Sequence, residues 1–121
     1  MPLILIIDDS PTEVHVLTRA LERHGYQIAS ASGGAEGIRL AKTLKPDLIL
    51  MDIVMPGING FEATRLLSND ELTKQIPVVM VTNKDQSTDQ LWAMRQGAVD
   101  YLVKPFTADD LLATVQSVLA P

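Results

Sequence analysis

The chain has 121 residues, a length typical of one domain with a sizeable hydrophobic core and too short for two. Acidic residues outnumber basic ones by 15 to 10, for a net charge of −5, which disfavours nucleic-acid binding because a phosphate backbone requires a basic surface. The chain has no cysteine for a disulfide or a thiolate metal site, and its apolar stretches are shorter than the ~20 residues that span a bilayer, so the sequence predicts a cytoplasmic protein without membrane insertion.

Short apolar runs alternate with helical patterns along the whole chain. Strands are predicted over residues 3–7, 26–30 and 47–52, then from Pro77, with a fifth that ends at Lys104. Helices are predicted between them: from Pro11, after Gly33 and Gly34 to about residue 44, over 61–68, over about 85–96, and after the cap Thr107. Short apolar runs that alternate with helices are typical of a parallel sheet covered on both faces. The sequence therefore predicts one α/β domain, a (βα)5 unit covering residues 1–121.

The start of the first helix carries several N-terminal signals. Ser10 is a suitable N-cap, Pro11 fits the first helical position, and Glu13 is placed to complete a capping box. Gly25 supplies a left-handed stop after this helix. Residues 55–60 are dense in turn formers and are predicted to form a loop.

Polar residues follow the apolar runs at the points where the predicted strands end. Asp8 and Asp9 follow the first run, Asp52 the third, Thr82 the fourth and Lys104 the fifth. Because the carboxyl ends of parallel strands meet in one crevice, we expect these residues to lie together. Three carboxylates repel one another unless a cation neutralises them, and a hard divalent ion with oxygen ligands does so directly. The group is suited to hold a divalent cation and a phosphoryl group.

Each of these residues has an ordinary alternative when it is considered alone. Asp8 and Asp9 could simply favour the positive end of the first helix, and Asp52 could be a solvated loop residue. Thr82 is a common residue in strands, and Lys104 could extend along the surface. The combination, rather than any single residue, indicates a site.

The residues and their order resemble the response-regulator receiver domains of two-component signalling, over essentially the whole chain. The matching residues are Asp8-Asp9, Asp52, the loop 55–60, Thr82 and Lys104-Pro105. The resemblance implies a flavodoxin-like fold, a doubly wound parallel five-stranded sheet in the strand order 2-1-3-4-5. Strands one and three are neighbours in that order, which places Asp8, Asp9 and Asp52 in one crevice.

The resemblance also implies a role for each residue of the group. Asp52 is the phosphoacceptor and, with Asp9, a direct ligand of Mg²⁺. Asp8 positions the ion partly through water, and the backbone carbonyl of Val54 is a further ligand. Lys104 pairs with a phosphoryl oxygen as a compact charge, and a cis peptide bond to the proline after it aims this lysine inward.

Thr82 and Tyr101 match the switch pair of the same family. The resemblance implies that the threonine hydroxyl hydrogen-bonds the phosphoryl group and that the tyrosine ring turns inward as the threonine moves. The alternative for Tyr101 is an edge-strand position with its hydroxyl in water. The residue after the threonine is usually Ala, Ser or Gly in the family; here it is Asn83, whose amide could crowd the phosphoryl group or donate to it.

The function implied is that of a stand-alone response regulator, a signalling protein rather than an enzyme with an external substrate. A histidine kinase or phosphotransfer protein is expected to phosphorylate Asp52 in a Mg²⁺-dependent reaction, and self-catalysed hydrolysis to reverse it. Because the chain stops at Pro121, output is expected through a protein partner on helix four, strand five and helix five. Residues 82–86, followed by Asp89, Trp92 and residues 95–98, are similar to single-domain receivers of pilus-based twitching motility and phototaxis.

Three other functions are weighed against this one. A phosphatase of the haloacid dehalogenase type would carry its nucleophile in an Asp-x-Asp pattern after the first strand, where this chain has Asp8-Asp9-Ser10. A flavodoxin would need a Ser/Thr/Gly-rich phosphate loop at that place, and the two aspartates would repel the flavin phosphate. A receiver-fold scaffold that is never phosphorylated is supported only by Asn83.

The sequence has one tryptophan and two histidines, residue types that often take part in binding or catalysis. Trp92, on the predicted fourth helix, is either partly buried core or a binding anchor. His15 and His24 have no second His or Cys at metal-ligand spacing, so both are predicted to be helix-surface residues without chemistry.

Overall fold

The computed structural model describes residues 1–120, which form a five-stranded parallel sheet flanked by five helices. The strands are β1 Leu3–Ile7, β2 Gln27–Ala31, β3 Leu48–Met51, β4 Val78–Thr82 and β5 Asp100–Val103. The helices are α1 Pro11–Glu22, α2 Gly34–Leu44, α3 Gly60–Ser68, α4 Ser87–Gln96 and α5 Ala108–Leu119. The strand order is β2-β1-β3-β4-β5, and every pair of neighbours is parallel. The predicted fold class and strand order are confirmed; Pro121 lies outside the described residues.

The core consists of aliphatic side chains on both faces of the sheet. Alternate residues of a strand face opposite sides, so Leu5 and Ile7 pack with α2, α3 and α4, whereas Ile4 and Ile6 pack with α1 and α5. The central strands β1, β3 and β4 are buried almost completely. This explains why they appear in the sequence as continuous apolar runs rather than alternating ones.

Most predicted boundaries lie within two residues of the observed ones. Strand β2 begins and ends one residue later than predicted, and α4 begins at Ser87 rather than at residue 85. Gly25 has a left-handed φ of +87°, as predicted, although α1 itself ends at Glu22. Among the helices of residues 1–120, none has the length and hydrophobicity that crossing a bilayer requires.

Of the two hydrogen bonds in the capping box predicted for α1, one forms and the other does not. The Ser10 hydroxyl accepts from the backbone N–H of Glu13 at 3.3 Å, as expected for an N-cap. The backbone N–H of Ser10, however, donates to Asp8 at 2.9 Å, which leaves no such donor for the Glu13 carboxylate. A complete capping box forms instead at α5, between Thr107 and Asp110.

Gly60 fixes the loop after β3 against the end of that strand. Its N–H donates to the carbonyl of Ile53 at 2.8 Å, and α3 begins at this point. A Cβ atom on Gly60 would overlap the carbonyl oxygen of Asp52 and would lie 2.7 Å from the Cα of Ile53. Because those neighbours are backbone atoms, the absence of a side chain here is what allows α3 to start directly beneath Asp52.

Gly60→Ser is expected to lower the free energy of unfolding by about 1–3 kcal/mol, the usual cost of overpacking a site that cannot relax. Gly33→Ser is the matched control, because no atom lies within 4 Å of a Cβ added at Gly33 and serine suits its N-cap position. Urea unfolding followed by circular dichroism measures both. Equal stabilities of the two variants would contradict the role given to Gly60.

Candidate functional site

The carboxyl ends of four strands bring the polar residues of the sequence together. Asp8 and Asp52 directly follow β1 and β3, which are paired so that Ile7 stands opposite Met51. The backbone N–H of Asp52 continues this ladder by donating to the carbonyl of Ile7 at 2.9 Å. On the other side, Thr82 ends β4, and its carbonyl accepts from the N–H of Lys104 at 2.8 Å. The sheet register therefore determines which side chains meet.

The three carboxylates differ in burial but converge on one point. Asp8 is buried, with one oxygen accepting from the N–H of Ser10, whereas Asp9 is exposed. Asp52 is mostly buried, and one of its oxygens accepts from the N–H of Ile53 at 2.7 Å. One oxygen from each aspartate lies within 4.8 Å of the others. Three hard oxygen donors at this separation fit a divalent ion, and the exposed position of Asp9 lets such an ion retain water ligands.

Lys104 places one ammonium among these acids. Its Nζ lies 3.1 Å from Asp8 Oδ2, 3.7 Å from Asp52 Oδ2 and 3.7 Å from Glu13 Oε2. The lysine side chain is only 7 % exposed, so the alternative of a surface lysine is wrong. The Lys104-Pro105 peptide bond is cis, as the resemblance implied.

Burial and neighbouring charges shift the pKa values of the two central groups. Burial is the main reason that the pKa of Asp52 is raised. The charge of Lys104 is the largest opposing effect, the charge of Asp8 raises this pKa further, and hydrogen bonds from Thr82 and the N–H of Ile53 lower it. Burial alone would lower the pKa of Lys104. Its hydrogen bond to Asp8 and the charges of Asp52, Asp8 and Glu13 outweigh burial, so the pKa of Lys104 is raised. The ammonium remains charged at neutral pH, and the Asp52 carboxylate is held at some electrostatic cost.

Thr82 and Tyr101 are connected through the backbone of Lys84. The buried Thr82 hydroxyl accepts from the N–H of Lys84 at 3.4 Å, and the Tyr101 hydroxyl donates to the Lys84 carbonyl at 2.7 Å. The Lys84 ammonium lies 3.8 Å from Asp89 in the first turn of α4. Tyr101 thus lies on the edge strand β5, and its hydroxyl has a backbone partner at an exposed position rather than water alone. Burial, together with Asp89, Asp52 and the nearby carboxylate of Asp85, raises the pKa of Tyr101 to about 12.

The remaining candidates lie at the rim of the site or away from it. Val54, two residues after Asp52, is 62 % exposed, and its role as a carbonyl ligand stays a prediction. Asn83 is exposed and borders a small cleft together with Lys104 and Glu13. Trp92 is half exposed on α4, which favours the binding-anchor alternative over core packing.

The two histidines lie on the surface, as predicted. His15 and His24 are both exposed, and a ring nitrogen of His24 is 3.2 Å from the Ala20 carbonyl. Neither histidine is part of the cluster formed by Asp8, Asp9 and Asp52.

Two features of the site were not predicted from the sequence. One is the contact of Glu13 with Lys104, and the other is the set of bonds that Lys84 makes to both switch residues. The sequence signal at Glu13 pointed to a local helix cap, and the backbone groups of Lys84 carry no sequence signal. Neither contact could be found without the tertiary structure.

The comparisons with known proteins point to one family. The model of the response regulator receiver domain matches residues 4–116. The chain is 57 % identical over 120 residues to protein PilH of Pseudomonas aeruginosa, covering 99 % of both chains. Several transcriptional regulators are also matched, but over about half of their length.

Solved structures give the same result. Chemotaxis protein CheY4 of Vibrio cholerae is similar with a TM-score of 0.93 and 31 % identity, over 98 % of this chain and 99 % of that one. The receiver domain of sensor histidine kinase PA1611 from Pseudomonas aeruginosa is similar with a TM-score of 0.91 and 28 % identity, over 99 % and 98 % of the two chains. That receiver domain has a magnesium ion coordinated in its active-site cleft.

Asp52→Asn is expected to raise the free energy of unfolding at neutral pH in metal-free buffer. The folded state raises the pKa of Asp52 above its ordinary 3.8, so it binds this proton more tightly than the unfolded chain does, and stability falls as the pH rises through the folded pKa. The gain from asparagine should therefore be largest above the folded pKa and should shrink as the pH falls towards 3.8.

Urea unfolding at a series of pH values measures this dependence. Asp47→Asn is the control, because Asp47 is an exposed aspartate at the opposite end of β3 that accepts from the N–H of Leu3. An Asp52→Asn protein that is less stable than wild type at neutral pH would contradict the electrostatic account.

Proposed function

The chain belongs to the family of response regulator receiver domains, and on this basis we propose that it is a stand-alone response regulator phosphorylated on Asp52. Receiver domains are signalling proteins that receive a phosphoryl group from histidine kinases or phosphotransfer proteins. The observation that carries the proposal is the position of Asp52. Its carboxylate is mostly buried just after β3, 3.7 Å from the Lys104 ammonium and grouped with Asp8 and Asp9.

Phosphorylation at this position is a direct displacement at phosphorus. A carboxylate oxygen of Asp52 attacks the phosphorus of a phosphohistidine, the P–N bond breaks, and the imidazole nitrogen leaves with the electron pair and takes up a proton. The Lys104 ammonium is placed to pair with a phosphoryl oxygen, and the Thr82 hydroxyl is a donor to another. Dephosphorylation is a separate hydrolysis, in which water attacks phosphorus and gives up a proton, the bond to the Asp52 oxygen breaks with its electron pair restoring the carboxylate, and inorganic phosphate leaves. The catalysis proposed here is that of the protein's own modification.

The residues of the site fit Mg²⁺. Asp9 and Asp52 would hold the ion directly, Asp8 would position it partly through water, and the backbone carbonyl of Val54 would complete the protein ligands. When bound, the ion would screen the approach of two anions and stabilise charge on the transferred group. Support comes from the converging oxygens of the three aspartates and from the magnesium in the similar cleft of the PA1611 receiver domain.

The signal is expected to leave through the face formed by α4, β5 and α5. Thr82 and Tyr101 are both bonded to the backbone of Lys84, so a shift of the threonine towards a phosphoryl group alters the bonds that position the tyrosine and the start of α4. On α4 and just before β5, several large apolar side chains are about half exposed: Leu91, Trp92, Met94 and Val99. A protein partner would bury them.

We propose that the protein acts in the cytoplasm and that the process it serves is pilus-based motility. The support is the 57 % identity to protein PilH over nearly the whole of both chains, together with the similarity of residues 82–86, Asp89, Trp92 and residues 95–98 to receivers of that type. The phosphatase and flavodoxin alternatives are removed by membership of the receiver family. A receiver that binds its partner without phosphorylation is the alternative that the labelling experiment below decides.

Incubation with phosphoramidate and Mg²⁺ is expected to add one phosphoryl mass to the protein, and Asp52→Asn should abolish the addition because the nucleophilic oxygen is lost. Intact-protein mass spectrometry measures the product. Asp47→Asn, the same substitution at the other end of β3, should label like wild type. Equal labelling of the Asp52→Asn protein would exclude Asp52 as the acceptor, and an unlabelled wild type would favour the non-phosphorylated scaffold.

Mg²⁺ is expected to raise the melting temperature of the wild type, because an ion that binds only the folded state stabilises it by mass action. At ten times the dissociation constant the gain is about 1.4 kcal/mol, or roughly 5 °C for a domain of this size. Asp9→Asn should remove most of this rise, whereas Asp47→Asn should keep it. A wild-type melting temperature that Mg²⁺ leaves unchanged would contradict the proposed metal site.

A further inference from the structure

Glu13 is an acidic neighbour of Lys104 that the phosphoryl transfer described above does not use. Its Oε2 lies 3.7 Å from the Lys104 ammonium, the same distance as Asp52 Oδ2. The Glu13 side chain is 40 % exposed, compared with 2 % for Asp8 and 12 % for Asp52. Glu13 therefore contacts the ammonium at the solvent-exposed rim of the site, whereas the two aspartates contact it from within.

The start of α1 leaves the Glu13 carboxylate available for this contact. In a capping box that carboxylate would accept from the N–H of Ser10, but Asp8 already accepts from this N–H. The N–H of Glu13 still donates to the Ser10 hydroxyl, so the backbone of the first turn is fixed while the side chain is free to reach Lys104. The glutamate of the predicted cap thus lies beside the lysine that follows β5.

We propose that Glu13 competes with the phosphoryl group on Asp52 for the ammonium of Lys104. The inference rests on the proposed function, because it assumes that Asp52 carries that group. A phosphoryl group presents new anionic oxygens to Lys104, and pairing with them requires the ammonium to give up part of its present contacts. Asp8 holds it at hydrogen-bond distance within the site, so Glu13 is the contact that is lost.

The expected consequence is that Glu13 weakens the binding of an anion next to Asp52. When the Lys104 ammonium moves to pair with the anion, it loses its ion pair with Glu13, and this loss costs free energy. The cost is absent when Glu13 is replaced by a neutral residue. Lys104 would not be released by the replacement, because its hydrogen bond to Asp8 remains. Glu13 is thus a positioning residue, which acts through Lys104 and touches no reacting atom.

The test uses the beryllium trifluoride anion, a noncovalent analogue of the phosphoryl group, in Mg²⁺ buffer with the full chain. Glu13→Gln is expected to lower its dissociation constant by up to about fivefold, the range for a partly exposed ion pair. Glu13→Asp keeps the charge but is one methylene shorter, so loss of contact should make it resemble Glu13→Gln. Glu22→Gln removes an exposed charge from the last turn of the same helix and should leave the affinity unchanged.

Isothermal titration calorimetry measures the four affinities, and melting curves without the anion show whether each variant is folded. A destabilised α1 would not produce tighter binding, so a structural effect cannot imitate the expected result. An unchanged or weaker affinity of Glu13→Gln would overturn the inference. So would a Glu13→Asp protein that binds like wild type, because charge repulsion rather than contact would then be responsible.

The same experiment separates this inference from the proposed function. A wild type that binds no beryllium trifluoride and takes no phosphoryl group from phosphoramidate would overturn both. A wild type that does both, with Glu13→Gln no different from it, would overturn the competition alone.

Discussion

The site depends on one ion-paired cluster, in which the ammonium of Lys104 is held among the carboxylates that follow β1 and β3. Asp8 and Asp52 lie at the ends of adjacent strands, where two anions repel each other in a partly dry environment. One ammonium does not neutralise three aspartates and Glu13, so the cluster keeps a negative surplus. That surplus suits the divalent ion proposed for the site, which would supply the positive charge that the protein lacks and would reduce the repulsion of an incoming phosphoryl group.

The protein holds this surplus at a cost in stability that its scaffold offsets. Central strands β1, β3 and β4 are buried on both faces by aliphatic side chains, which makes the sheet rigid at the edge where charges repel. Gly60 contributes at the same place by letting α3 begin against the backbone of Asp52. Asp52, whose pKa is raised, is thus positioned by central strands that carry no charged side chain.

The connection from the site to the surface uses backbone groups rather than a chain of side chains. Lys84 donates its N–H to the Thr82 hydroxyl and accepts from the Tyr101 hydroxyl at its carbonyl, while its ammonium lies near Asp89 on α4. One residue therefore joins the interior of the site, the aromatic ring on β5 and the first turn of the helix with the most exposed apolar residues. At the solvent-exposed rim, Glu13 contacts the same Lys104 ammonium that the interior aspartates contact.

The sequence by itself determined the alternation of strands and helices and the residues that end each strand. Apolar runs such as 3–7 and 78–81 specify buried strands through local periodicity, and Asp8, Asp52, Thr82 and Lys104 are then placed by the rule that parallel strands share a carboxyl edge. Strand order came from resemblance, because periodicity is a property of each segment and contains nothing about which segments pair.

Only the tertiary structure decided the contacts between groups that are distant in sequence or belong to the backbone. Ser10 and Glu13 have the spacing of a capping box, yet the folded chain brings Asp8 to the Ser10 N–H and Lys104 to Glu13. A local pattern shows what a residue can bond, whereas the competition among all donors and acceptors that folding brings within reach determines what it does bond. The bonds of Lys84 to Thr82 and Tyr101 were decided in the same way, since every residue carries the same backbone groups and the fold alone selects the ones that meet.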